Sequence, residues 1–365
     1  MQLPDPAAGL ALIKSAVLAQ AAYTLDAPVA RRKLNQNESP YDFPAELKRE
    51  VAERAASQPW QRYPAFVPEA LLVRLAEHYG WTPDGVLVGN GSNELIQATL
   101  AVSLAAGDVV VAPSPTFSLY RLLTNVLGGR YVPVALGLDF AYDIDRLIAA
   151  AVRERARVVV LNSPNNPTGS ALGPGAVQRI LDETDALVLC DEAYQDFGGP
   201  TALPVLSSSP RLVVLRTFSK ALGMAGLRFG LGLAHPAIAR EIAKAKLPYN
   251  VNLVTLAAAD VALDHMDVRA SHVRAIVETR ERTMARVAQL RGITLYPSSA
   301  NFFLIRFGTM PATRVFRRLY DEYGILVRDV SASAELAECL RVSVGTPGDM
   351  DALVHALTAI LEPAA

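Results

Sequence analysis

The 365-residue chain has only two cysteines, Cys190 and Cys339, far apart and without the spacing of a metal site. That fits a reducing compartment better than a disulfide framework. An excess of charge of one sign is missing too. The net charge is −1, which argues against a role on nucleic acid or an anionic membrane surface. No apolar run is long enough to span a bilayer. The Ala/Leu-rich stretch 9–22 has no basic region before it and is interrupted by Lys14. It reads as a short amphipathic helix more readily than as a signal peptide. What is present is globular composition, 51% hydrophobic and 19% charged, with length for two domains or one large and one small. The expectation is a soluble cytoplasmic protein.

From residue 86 the chain alternates short apolar runs with helical stretches. The runs cover 86–88, 109–112, 131–136, 158–161, 187–190, 212–215 and 229–233. They are rich in valine and leucine with little polar alternation, as in strands covered on both faces. Helical segments such as 94–105, 120–128 and 174–185 lie between most of them. The pattern predicts an α/β fold with a mainly parallel sheet. Upstream, helices are expected at 44–56 and 68–79, the second with Leu71, Leu72, Leu75 and Tyr79 on one face. The segment 34–44, L-N-Q-N-E-S-P-Y-D-F-P, reads as a loop. In it Asn35, Asn37 and Glu38 either form turns or face a substrate, and composition favours turns.

Downstream, long helices are expected at 251–265 and 271–290, the second with Arg274, Arg280, Arg282 and Arg286 on a solvated face. Strands at 302–307, 325–327 and 340–344 and a helix at 347–361 complete a smaller α+β domain. The expected division is 1–60 as an arm and part of the small domain, 61–265 as the large domain and 266–365 as the small one.

Ligands of parallel sheets bind just past the carboxyl ends of the strands, so the residues directly after each run carry the chemical information. Residues 212–215 run into Thr217, Ser219 and Lys220, then the small residues Ala221, Gly223, Ala225 and Gly226, then Arg228. Lysine is rarely buried unless it is paired or used chemically. Two hydroxyls and a guanidinium can grip a phosphate. The chemistry that suits this set is a Schiff-base lysine carrying pyridoxal phosphate (PLP). The alternative is a surface turn with Lys220 and Arg228 simply solvated.

Gly89-Asn90-Gly91-Ser92-Asn93-Glu94 offers either an anion cradle at a helix N-terminus or an ordinary cap by Ser92 or Asn93. It is neither a Walker A loop nor Gly-x-Gly-x-x-Gly, which disfavours a nicotinamide dinucleotide enzyme. Phe117 is a ring stacker or a core residue. Asn166, pinned among prolines in S-P-N-N-P-T-G, can present its amide to a phenolate oxygen. Asp191 ends a buried run, costly unless a cation such as a protonated pyridine nitrogen meets it, and Tyr194 lies three residues on. Arg341, between Leu340 and Val342, calls for an anion, either a substrate group or an internal acid.

Taken together, these segments resemble the fold-type I PLP enzymes of the aspartate-aminotransferase superfamily, over most of the chain. Within it they are most similar to the histidinol-phosphate aminotransferases. The carrying residues are L-N-Q-N-E-S-P, R-Y-P, G-N-G-S-N-E, S-P-N-N-P-T-G, D-E-A-Y and T-F-S-K-A-L-G-M-A-G-L-R-F-G, then V-R-D and L-R-V-S-V-G-T. The resemblance implies a large PLP-binding domain and a small one. It implies Lys220 as the Schiff-base lysine, Asp191 on the pyridine nitrogen, Asn166 and Tyr194 on O3′ and Phe117 on the ring. Ser92, Asn93, Thr217, Ser219 and Arg228 would surround the cofactor phosphate. Tyr63 of R-Y-P would reach the phosphate of the other subunit's cofactor, which calls for a homodimer. Family members often have tyrosine where this chain has Phe117; stacking survives that change, a hydrogen bond does not. Arg328 and Arg341 would bind substrate, with Tyr23 as a third contact. No metal is implied.

The activity implied is transamination of L-histidinol phosphate with 2-oxoglutarate, in histidine biosynthesis. Rivals on the same scaffold are an aromatic amino-acid aminotransferase and a PLP decarboxylase of phosphothreonine type. A non-catalytic PLP-binding regulator would normally carry a fused DNA-binding domain, for which no spare N-terminal length or basic patch is seen.

Overall fold

The computed structural model describes residues 3, 5–21 and 28–362. Its central sheet has seven strands. They are β1 (Val86–Asn90), β2 (Val109–Ser114), β3 (Arg130–Ala135), β4 (Val158–Asn162), β5 (Leu187–Asp191), β6 (Leu212–Thr217) and β7 (Phe229–Ala234). Their spatial order is β1-β7-β6-β5-β4-β2-β3. From β6 to β3 every pairing is parallel, while β7 runs antiparallel to both β1 and β6. The apolar runs behave as two-faced strands. Val159, Val188 and Val214 enter the core on one side of the sheet, and Val158, Leu189 and Val213 enter the core on the other. This is the period-two alternation of a pleated strand sandwiched between helical layers.

Several strands run past their apolar stretch and end on a polar residue: Asn90, Ser114, Asn162, Asp191 and Thr217. Backbone pairing is indifferent to that polarity, so the sheet delivers these side chains to one edge. Helix α1 (Ser92–Ser103) starts directly after β1 and lies against β7. Only glycine fits at position 230 of β7, because a Cβ there would sit 2.2 Å from the backbone nitrogen of Ser92.

The second layer system is a four-stranded antiparallel sheet of β8 (Ile293–Leu295), β9 (Phe302–Phe307), β10 (Arg328–Asp329) and β11 (Cys339–Ser343), in the order β10-β11-β9-β8. Helices Met266–Val287, Ala312–Asp321 and Pro347–Leu361 accompany it. The last begins in a capping box between Thr346 and Asp349. Near the N-terminus, Arg32–Lys33 pairs in parallel with Ile325–Leu326. Leu34 joins the core of this smaller unit, whereas Leu47 and Val51 of helix Ala45–Ala56 join the core of the large sheet.

Three expectations need correction. The strand expected at 325–327 is split: Ile325–Leu326 pairs with Arg32–Lys33, and Arg328–Asp329 joins the four-stranded sheet. The stretch 9–22 holds no single helix among its described residues, only the end of the short helix Ala7–Leu10 and the whole of Ser15–Leu18. Arg280 is not on a solvated face. It is 5% exposed and donates to the backbone oxygens of Ala300 (2.7 Å) and Phe197 (3.4 Å), while Arg274, Arg282 and Arg286 are exposed. No helix among the described residues is long and apolar enough to cross a membrane.

Candidate active site

A cavity of about 590 Å³ opens at the carboxyl ends of the parallel strands, between them and the smaller sheet. Ser92, Asn93, Phe117, Asn166, Asp191, Tyr194, Thr217, Ser219, Lys220, Arg228, Arg328 and Arg341 all line it. Tyr63 does not. It is 79% exposed and stacks on Tyr249 (ring centroids 4.4 Å apart) beside a separate surface hollow. Tyr23 lies outside the described residues.

One end of the cavity is built for an anion. Helix α1 starts at Gly91 (φ 76°) with no side-chain cap, so its first N–H groups are left to point outward. Arg228 lies against this turn: a Cβ on Gly91 would meet its Nη2 at 2.5 Å. Arg228 Nη1 donates to Ser219 Oγ (3.3 Å) and to the Ala225 carbonyl (3.1 Å). The Thr217 hydroxyl donates to the Phe229 carbonyl (3.1 Å) and accepts from the Ser219 N–H (3.2 Å). A cationic fork, two hydroxyls and a helix N-terminus form a donor set that could hold a phosphate.

Lys220 comes three residues after the end of β6. Its Nζ donates to the Gln36 carbonyl (3.2 Å) and sits 5.7 Å from the centre of the Tyr194 ring. Burial, reinforced by the Arg341 charge, pulls its pKa from 10.5 down to about 8. Glu38 and Asp191 oppose that shift and Arg228 adds to it. The shift raises the fraction of unprotonated amine near neutral pH well above that of an ordinary lysine, and the free amine is the form that attacks a carbonyl.

Asp191, on the neighbouring strand, is 3% exposed. Burial raises its pKa, against hydrogen bonds from the Tyr120 hydroxyl to Oδ2 (2.7 Å) and the Ala193 N–H to Oδ1 (3.1 Å), and against the Lys220 charge. A buried carboxylate held this way is ready to meet a cation. Tyr194 OH accepts from Asn37 Nδ2 (3.1 Å). Arg341 donates to Asn166 Oδ1 (2.6 Å) and to the Asn35 carbonyl (2.6 Å). Because arginine can only donate, the oxygen of the Asn166 amide is identified, and its Nδ2 remains a donor.

Comparison with known proteins agrees with this geometry. Residues 32–357 match the family "Aminotransferase class I and II". The chain belongs to the class I and II aminotransferases. Histidinol-phosphate aminotransferase of Prosthecochloris aestuarii is 38% identical over 348 residues, 95% of this chain and 97% of that protein. The histidinol-phosphate aminotransferase of Sinorhizobium meliloti, solved in complex with pyridoxal-5′-phosphate, superposes with a TM-score of 0.87 at 26% identity, over 97% of this chain and 98% of that one. L-threonine-O-3-phosphate decarboxylase of Porphyromonas gingivalis shares the fold, with a TM-score of 0.77 at 22% identity, covering 91% of this chain and 99% of that one.

In this aminotransferase, local chemistry pointed to the residues at the strand ends, but others at the site escaped it. Asn35 and Asn37, read as turn-formers, are 2% and 1% exposed and line the cavity. Asn37 also receives the Ser343 hydroxyl on Oδ1 (3.0 Å) and donates its N–H to the same hydroxyl (2.8 Å). Tyr120 went unnoticed altogether. The signal was there, since Tyr120 stands three residues after Phe117, on the same side of a helical turn.

Proposed function

We propose that this aminotransferase uses PLP to transaminate L-histidinol phosphate, with 2-oxoglutarate as amino acceptor. The observation that carries the reading is one cavity holding a lysine of lowered pKa, a buried carboxylate on the adjacent strand, a phosphate cradle and two further arginines. The names of relatives that align over nearly the whole chain support the substrate.

The residues present fit PLP on their donor chemistry. Ser92, Asn93, Thr217, Ser219 and Arg228 would hold the phosphate, Phe117 would face the ring, and Asn166 and Tyr194 would hold the phenolic oxygen, all of them lining the cavity. Asp191, buried as it is, would hold a proton at the pyridine nitrogen and so gain a cationic partner. When bound, PLP supplies an electron sink for the electron pair left by the substrate Cα proton. Lys220 Nζ would hold the cofactor and, once the amino donor takes its place, would serve as general base for the substrate Cα proton. Its depressed pKa enlarges the free-amine fraction available for that task. Arg328 and Arg341 bind the phosphate or carboxylate of the alternating substrates.

A second copy of the chain completes the enzyme in this reading. Trp60, Tyr63 and Phe66 are 69%, 79% and 67% exposed on one segment, an apolar aromatic surface suited to a partner. Tyr63 would reach the partner's cofactor phosphate from there. Cys190 and Cys339 are both buried and unpaired, which supports a cytoplasmic location.

The test is a single-turnover spectrum of the holoenzyme mixed separately with histidinol phosphate, phenylalanine and phosphothreonine. Histidinol phosphate should bleach the visible PLP band fastest, and 2-oxoglutarate should restore it. A faster response to phenylalanine would move the enzyme to aromatic amino acids, and carbon dioxide release from phosphothreonine would make it a decarboxylase.

A further inference from the structure

Tyr120 belongs to none of the roles above, yet it touches two of the groups that act on the cofactor ring. It lies in the first turn of α2 (Leu119–Leu127) and is completely buried. Its hydroxyl donates to Asp191 Oδ2 at 2.7 Å, bridging 71 residues of sequence. Its ring meets the Phe117 ring edge-on, centroids 5.7 Å apart and planes at 90°. A phenol this deep usually satisfies its hydroxyl on a backbone carbonyl; here the acceptor is a carboxylate at the site.

We propose that Tyr120 is a positioning residue that keeps Asp191 in its carboxylate form and aimed at the pyridine nitrogen, while fixing the tilt of Phe117 over the ring. The inference rests on the PLP reading of the cavity. One proton is shared between Asp191 and the ring nitrogen. Each hydrogen bond donated to the carboxylate lowers its appetite for that proton and leaves the proton on nitrogen, where it makes the ring a better electron sink. The Ala193 N–H supports Oδ1 and Tyr120 supports Oδ2, so the carboxylate is held from both oxygens. Burial, with the Asp191 charge adding to it, raises the Tyr120 pKa far above 10, so the phenol stays a neutral donor throughout turnover.

Tyr120→Phe removes one oxygen and leaves the packing shape. The holoenzyme of this variant, loaded with PLP isotopically labelled at the ring nitrogen, is compared with wild type by NMR. The expected result is a ring nitrogen shifted toward its unprotonated position, a kcat lower by about tenfold and a KM little changed. In an Asp191→Asn background the same substitution should have almost no further effect on kcat, because Tyr120 acts through Asp191. An unchanged ring-nitrogen signal with wild-type kcat would overturn the proposal. So would additive losses in the double variant, which would mark Tyr120 as merely structural. A wild-type protein that takes up no PLP would instead bring down the functional reading, and this inference with it.

Discussion

Asp191 and Lys220 stand at the ends of adjacent strands with opposite problems, since burial penalises the charge of each. For Asp191 the remedy is a cation on the ligand. Asp191→Asn should cut kcat by roughly two hundred- to five thousandfold, the kinetic equivalent of the ~3–5 kcal/mol lost when one partner of a buried pair is removed. Steady-state assay of the PLP-saturated variant checks this, and a loss under tenfold would contradict the role. For Lys220 the consequence is a pH dependence. Its folded pKa of about 8 lies below the 10.5 of an unperturbed lysine. Between those values the unfolded chain binds more protons than the folded apoprotein, so apoprotein stability rises with pH across the window and the gain is lost again as pH falls through 8. The rate at which apoprotein recaptures PLP should rise with pH and level off above about 8. Stopped-flow uptake across that range tests it, and Lys220→Ala should show neither Schiff-base colour nor turnover. These two residues were legible in the sequence because a charged group after an apolar run is odd wherever it occurs. Asn35 and Asn37 were not, because what buries them, Arg341 and Ser343, lies 306 residues away.

At the scale of elements, the contact between β7 and the start of α1 decides whether the phosphate cradle exists. Gly230→Ala would drive a methyl group into the backbone of Ser92. Since helix backbone cannot yield as a side-chain tip can, the first turn of α1 must shift away from Arg228. Overpacking of this kind costs about 1–3 kcal/mol, and retention of PLP on dialysis should fall with it. Gly226→Ala is the control, because nothing lies within 4 Å of a Cβ there. Thermal melts of both variants, with and without PLP, separate damage to the fold from damage to the cradle. The strands themselves were readable from their apolar runs, with one systematic shortfall. The runs stop at 161, 190 and 215, but the strands end at Asn162, Asp191 and Thr217. Side-chain hydrophobicity ends where the chemistry begins, while the backbone ladder continues. The reversed direction of β7 had no local signature, since strand orientation is set by which neighbours remain to be paired.

For the whole molecule, the exposed aromatic segment around Tyr63 makes subunit exchange the informative experiment. Lys220→Ala and Tyr63→Ala proteins should each be nearly inactive. Unfolded and refolded together, they should regain roughly a quarter of wild-type activity, because each mixed dimer keeps one site with both residues. No recovery would argue against a shared site. The two-unit architecture was foreseeable from the change in pattern after residue 265. The allegiance of the N-terminal segment was not, because Leu34 and Leu47 look alike in sequence yet enter different cores. That allegiance has a consequence for biosynthesis. The loop at residues 35–37 is held by Arg341 and Ser343, among the last portions of the chain to be made. A nascent chain can pair all seven strands of the large sheet and display Lys220 and Asp191 while this loop still lacks its contacts to Arg341 and Ser343. A product cut before residue 339 would therefore resemble the enzyme and lack the floor of its cavity. The contacts that line this side of the site therefore form only after the end of the chain has been made.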